Sequence, residues 1–314
     1  MAWLDSKSVV VTGAGRGIGA ACALAAAREG ARVVVNDLDA DVAGETVARI
    51  RSEGGTALVH VADVRQWSEA AELIERCVRE YGAIDGLVTN AGRFGMSMPA
   101  ELTQDQLEDL FSVNVGGVVA CAMPALRHMR AQGSGSIVNV TSGAHFGLPY
   151  MSAYAATKGA VASLTYVWAV ETQLTGVRVN AVSPLARTRM GQTTEEFLAA
   201  HGLGGIDQAG TPEPAANAPA VVYLLSDAAA AVTGQVLRIE GPDLALVAQP
   251  AVLHPVLHAP GTWTVEGVAR AFEETLADRL VPVGMGPVVK AEYLAEGSAF
   301  WSGELGEEPA PQSS

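Results

Sequence analysis

Seven short β-branched runs punctuate this chain: SVVVTG from residue 8, ARVVVND from 31, TALVHVAD from 56, IDGLVTNAG from 84, GSIVNVTS from 135, VRVNAVSP from 177 and QVLRIEG from 235. They are largely apolar without strict alternation, so both faces of each must be covered, as in a parallel sheet wrapped by crossover helices. The intervening Ala-, Leu- and Glu-rich stretches near 17–29, 40–53, 67–81, 103–131, 152–175 and 213–226 read as those helices. The alternation predicts a doubly wound α/β architecture. It stops at Gly241-Pro242, so residues 1–242 are expected to form the main domain and 243–314 an extension with one helix near 264–278. The last dozen residues, GELGEEPAPQSS, combine acid, Pro and Ser without apolar anchors and are expected to be disordered.

A formal net charge of −14 over 314 residues, with Lys and Arg scattered, disfavours nucleic acid or an anionic membrane as partner. Each long apolar stretch meets a charge, Gly or Pro before it could cross a bilayer. No basic start with an apolar core and a small-residue cleavage site precedes SVVVTGAG, and the expected location is the cytoplasm. Cys22, Cys77 and Cys121 are widely spaced in expected helices, which reads as buried reduced thiols. No Cys or His pair has zinc-ligand spacing, so no metal site is expected.

The stretch VVVTGAGRGIGA places Gly13, Gly17 and Gly19 where the first strand turns into the first helix. Glycines let the backbone turn tightly and approach a pyrophosphate, and the helix N-terminus offers unpaired N–H groups to the anion. The second strand ends at Asp37, roughly twenty residues on, where a carboxylate can accept both adenosine ribose hydroxyls and favours NAD. Arg16 argues the other way, since it could attract a ribose phosphate and so NADP. Asp37 weighs more, although an Asp just before a helix also serves as an N-cap.

Within TSGAHFGLPYMSAYAATKGA, Tyr154 and Lys158 are four residues apart and share a face if the Ala-rich run is helical. A nearby ammonium favours the phenolate, so Lys158 is expected to lower the phenol's pKa towards the working range.

With the glycine loop, NAG at 90–92, Asn114, Ser142 and YAATK at 154–158 in order, the sequence resembles the short-chain dehydrogenase/reductases over residues 6–241. The resemblance implies a Rossmann-type parallel seven-stranded sheet in the order 3-2-1-4-5-6-7, with helices on both faces. It also implies a nicotinamide cofactor and a homodimer or homotetramer built on the helices carrying Asn114 and Tyr154. On this likeness Tyr154 is the acid/base, Lys158 tunes it and binds ribose, Ser142 orients the substrate oxygen, and Asn114 holds a water linking Lys158 to solvent. Asp63 and Val64 match the adenine-contacting pair, and Asn90, Ala91 and Gly92 the cofactor floor. Ile18, Leu38, Pro184 and Thr188 complete the implied cofactor contacts. Taken singly, Ser142 could be a strand-end cap, Asn114 a helix-kink residue and Tyr154 a core member.

Two departures stand out. Ser142 and Tyr154 are twelve apart, one fewer than usual in the family, which leaves Thr141 as a rival for the hydroxyl role. After the sixth strand the chain reads SPLARTRMGQT, with Leu185 in the usual Gly place and Thr188 one position early. That fragment resembles the dehydrogenase part of multifunctional β-oxidation enzymes, and the extension after Gly241 resembles bacterial relatives of that subgroup, the acyl-carrier or hydroxyacyl-CoA oxidoreductases. Residues 93–101, 143–152 and a lid at 186–212 would set specificity. Phe94, Met96, Met98, Phe146, Leu148, Tyr150 and Met151 suit a large apolar alcohol or ketone, such as a steroid or long acyl chain, though such residues also fill cores. Arg93, Arg187 and Arg189 could meet a carboxylate or a CoA phosphate, or could simply be solvated. The expected activity is NAD-dependent interconversion of a secondary alcohol and a ketone. The alternatives are an NADPH-dependent ketone or 3-oxoacyl reductase and a nucleotide-binding sensor without turnover.

Overall fold

The computed structural model describes residues 2–204, 210–250, 256–259 and 261–277. All seven expected strands form: β1 (Ser8–Val11), β2 (Arg32–Asp37), β3 (Thr56–Val61), β4 (Gly86–Thr89), β5 (Gly135–Val140), β6 (Val177–Pro184) and β7 (Val236–Glu240). They are parallel to their neighbours. The sheet order is β3-β2-β1-β4-β5-β6-β7-β8, so the expected seven strands gain an eighth. This is β8 (Asp243–Leu246), which returns antiparallel along β7. The sheet therefore runs past the expected boundary at 242. The short DLAL run, exposed throughout, carries no burial pattern from which a strand could be read.

Successive valines of each strand feed opposite layers, which is why the runs are continuously apolar. Val9, Val11, Val33 and Val35 join one core with α1 (Gly17–Arg28), α2 (Ala40–Ser52) and α8 (Ala218–Leu225). Val10 and Val34 join the other, with α3 (Trp67–Tyr81) and residues of the helices that follow β4 and β5. Burying each such side chain contributes about 1.5–3 kcal/mol relative to exposure.

The expected helix at 103–131 is interrupted. A capping box between Thr103 and Gln106 starts α4 (Gln104–Phe111), a π-helical turn follows at Ser112–Gly117, and α5 (Val118–Gln132) ends at Gly133 in the left-handed region. The combined run Gln104–Gln132 is long and apolar enough to cross a membrane by length and composition, but 61% of its most apolar window is buried inside the protein. It serves here as a core helix.

Beyond β5 lie α6 (Ser152–Glu171) and, after β6, α7 (Arg189–Ala200), so part of the expected lid is helical. In the extension α9 (Val265–Ala271) passes into a π-helical turn at Phe272–Leu276, and neither buries a residue. The stretch 303–314 expected to be disordered lies outside the described residues.

Candidate active site

β1 lies between β2 and β4, where the strand order reverses, and this is where doubly wound sheets open a cleft at their carboxyl ends. The glycine loop sits there. Gly13 and Gly17 have φ of +61° and +59°, which other residues adopt only with strain. A side chain on Gly19 would meet the Gly13 carbonyl oxygen at 2.2 Å. The N-cap of α1 is Arg16, which makes no side-chain cap, and the first turn holds no acid, so the helix's positive end keeps its N–H groups for an anion. These features fit a dinucleotide's pyrophosphate, with Ile18 half-buried behind the loop.

Thr12, a residue that sequence reasoning missed, fastens this loop to the floor. Its hydroxyl accepts the N–H groups of Asn90 and Ala91, each at 3.0 Å. The Asn90 amide donates back to the carbonyls of Thr12 and Gly13 at 3.0 and 2.9 Å. The only available signal was a hydroxyl residue between the strand and its first glycine. Gly92 completes the floor, because a Cβ there would stand 3.7 Å from Lys158 Nζ.

At the end of β2, Asp37 accepts the Gly15 N–H at 2.9 Å and the Asp39 N–H at 3.2 Å, which holds its carboxylate against the loop. Asp39, rather than Asp37, is the N-cap of α2. Leu38 is exposed. Asp63 is paired with Arg65 at 2.6 Å, and this partner holds its carboxyl below the usual range. Val64 is buried, with its side chain where a Cβ on Gly117 would meet it at 2.7 Å. Pro184 ends β6, and the Thr188 methyl lies 3.9 Å from the position of a Cβ on Gly17.

Tyr154 and Lys158 project from the first two turns of α6, both buried, with Lys158 Nζ 5.7 Å from the phenol ring centroid. Ser142, just past β5, stands close enough to the phenol to lower its pKa, while its Oγ accepts the Ala144 N–H at 3.2 Å and so caps the turn at Gly143–Phe146. Lys158 Nζ donates to the Val140 carbonyl at 2.8 Å. Thr141, the rival hydroxyl, donates to the Val182 carbonyl at 3.0 Å between β5 and β6, and the structure assigns it no bond to Tyr154.

The expected lowering of the phenol's pKa is not what the structure gives. Burial pushes Tyr154 up to about 12, opposed only by the nearby Ser142 hydroxyl, and burial takes Lys158 down to about 8. Desolvation penalises both charged forms, and it outweighs the attraction that spacing alone suggested. Asn114 lies in the π-helical turn, and its amide hydrogens both go to protein: the Arg93 carbonyl at 2.9 Å and Thr157 Oγ1 at 3.0 Å.

Phe94 packs edge-on against Tyr154 at 5.0 Å between ring centroids. A cavity of about 180 Å³ beside it is lined by Phe94, Met96, Leu102, Leu110 and Ala153, with Arg93 at its polar side. Leu148 and Met151 belong to the same apolar cluster as Tyr154. Tyr150, at φ +62°, meets Phe197 of α7 at 6.0 Å and so ties the loop to the lid, while Phe146 packs at a tilt against His145, 4.3 Å between ring centroids. His145 was also missed. Its Nδ1 must carry hydrogen, because it donates to the Ser142 carbonyl, and burial lowers its pKa. Of the three arginines singled out, Arg93 pairs with Asp109 at 2.7 Å and Arg187 with Glu213, whereas Arg189 is exposed at the start of α7. Among the described residues no His, Cys, Asp and Glu cluster could hold a metal. The three cysteines are free and buried, and burial pushes each thiol up to about 12.

A glycine cradle at the switch point, with a hydroxyl, a phenol and an ammonium gathered beside it, defines a nucleotide-dependent oxidoreductase. The family model "short chain dehydrogenase" matches residues 7–198. The 2-(S)-hydroxypropyl-CoM dehydrogenase 3 of Xanthobacter autotrophicus is 38% identical over 251 residues, covering 76% of this chain and 96% of the relative. The cis-4-hydroxycyclohexanecarboxylate dehydrogenase of Sinomonas cyclohexanicum is 39% identical over 241 residues, covering 75% and 95%. A crystal structure of a short chain dehydrogenase from Mycobacterium avium superposes with a TM-score of 0.77 at 31% identity, covering 91% of this chain and 98% of that one. The chain belongs to the short-chain dehydrogenase family, whose members use NAD(P) and act on alcohol and ketone groups.

Proposed function

We propose that the protein is an NAD-dependent dehydrogenase that interconverts a large apolar secondary alcohol and its ketone, of hydroxysteroid or 3-hydroxyacyl thioester type. The observation that carries this reading is the apolar wall of Phe94, Met96, Leu148 and Met151 in one cluster with the buried phenol of Tyr154. The nicotinamide ring, when bound, accepts or supplies the hydride. The protein's own groups handle the oxygen and its proton. Ser142 Oγ hydrogen-bonds the substrate oxygen and orients it, and Tyr154 Oη gives that oxygen a proton or takes one away. Lys158, an ammonium below its pKa of about 8, holds positive charge where a phenolate would form. Asn114 positions this pair by fixing the loop after β4 against Thr157 of α6. Asp37, held against the loop backbone, supports NAD, since a ribose phosphate would meet its like charge.

A second reading is a smaller alcohol that carries an acid group. The hydroxypropyl-CoM and cis-4-hydroxycyclohexanecarboxylate after which the two relatives are named are substrates of that kind, and the exposed Arg189 on the lid would suit one. Turnover of NAD with a panel of hydroxysteroids, 3-hydroxyacyl thioesters and hydroxy acids tests both. Activity confined to hydroxy acids would replace the apolar reading. Tight NAD binding with silence across the panel would favour the sensor. A homodimer or larger assembly is also part of the proposal: Val167 and Val170 on α6 are exposed, as is Leu174 just beyond it. Sedimentation of the purified chain tests that part.

A further inference from the structure

We propose that Asp39 sets the coenzyme preference by occupying Arg16, the one basic residue of the glycine loop. Arg16 Nη2 lies 2.9 Å from Asp39 Oδ2. The other carboxylate oxygen, Oδ1, accepts the N–H groups of Asp41 and Val42 at 3.1 and 3.4 Å, so α2's N-terminus fixes the carboxylate while it faces the guanidinium. Asp39 is tied to the ribose acid as well, because its own N–H donates to Asp37 Oδ1 at 3.2 Å. The two acids thus act on different things: Asp37 faces the loop backbone, and Asp39 neutralises the cation that would otherwise attract a second phosphate.

Both partners are about half exposed, at 45% and 49%, so the pair adds little to stability. Its effect falls on binding instead. A ribose phosphate seeking Arg16 must displace a carboxylate already oriented on it, and must do so beside Asp37. The sequence shows Arg16 and Asp37 as opposing signals for NADP and NAD. In the structure the first of these signals is already answered from within the chain.

This inference rests on the reading that the chain binds the adenosine half of a dinucleotide at Asp37. The test is equilibrium binding of NAD and NADP by calorimetry to the wild type, Asp39→Asn, Arg16→Ala and the double variant. Asn keeps the acceptor for the α2 cap and removes the charge. The expected result is a rise of about five- to tenfold in NADP affinity relative to NAD in Asp39→Asn. That rise should vanish when Arg16 is already Ala. An unmoved ratio in folded Asp39→Asn, or an equal rise with and without Arg16, overturns the proposal. If Asp39→Asn does not fold, Asp39→Ser, also a capping residue, takes its place under the same criteria. A wild type that binds NADP more tightly than NAD sinks the NAD reading, whereas the coupling between residues 16 and 39 decides this one separately.

Discussion

Asn114 holds both backbone polar groups of Arg93, accepting its N–H at 2.7 Å and donating to its carbonyl at 2.9 Å, while its second amide hydrogen reaches Thr157. One fully buried side chain thus joins the loop after β4 to α6, next to the position where Lys158 Nζ meets the cofactor floor. Asn114→Ala leaves these groups without partners and should cost roughly 2–3 kcal/mol of stability. Urea unfolding measures it; a loss below about 0.5 kcal/mol would show that the bridge carries no weight.

Tyr154→Phe removes the hydroxyl and little else, since the ring keeps its edge contact with Phe94. Turnover should fall at least about a hundredfold, with NAD affinity nearly unchanged. Stopped-flow and binding measurements separate the two, and substantial residual hydride transfer would remove Tyr154 from the mechanism.

Lys158 gives a signed pH dependence. Its folded pKa of about 8 lies below the ordinary lysine value of 10.5. Between those values the unfolded chain holds a proton that the folded chain has released, so this residue's contribution to stability rises as the pH climbs through the window. Relative to Lys158→Met, the wild type should gain up to about 3 kcal/mol from pH 8 to pH 10.5. Thermal or urea unfolding of both proteins across that range reads it, and parallel curves would contradict the burial assigned here.

Gly19→Ala places a methyl 2.2 Å from the Gly13 carbonyl oxygen, a backbone atom that cannot swing aside. Dinucleotide binding should be lost or strongly weakened while the far strands remain folded. Calorimetry together with far-ultraviolet circular dichroism distinguishes that from global unfolding, and wild-type affinity would mean the loop relaxes freely.

Much of this architecture is legible in the residues because β1, β2 and β4 to β6 are largely buried on both faces and had to be written in apolar letters, while the edge strand β3 is only half-buried. α7 is harder to read: RMGQTTEEFLAA buries only Thr194 and Leu198, so its helical pattern is faint. The π-helical turn at Ser112–Gly117 is silent, since one extra residue per turn leaves no mark in VNVGG. Ser142, Tyr154 and Lys158 were placed together by motif, and the structure gathers them. The direction of the Tyr154 shift could not be read from spacing, because it depends on how deeply neighbours bury the phenol. Thr12, Asp39 and His145 act through backbone groups or a single partner, and such partnerships appear only once the chain is folded.

The returning strand β8 has a consequence for solubility. A parallel sheet that ended at β7 would offer open N–H and carbonyl groups of a strand rich in Val, Leu and Ile to any passing chain. Four residues beginning with Asp243 now occupy that border, running the opposite way. The new rim is only four residues long and opens with an acid, and both features blunt an edge against strand addition, while Leu244 and Leu246 leave two apolar side chains exposed on it.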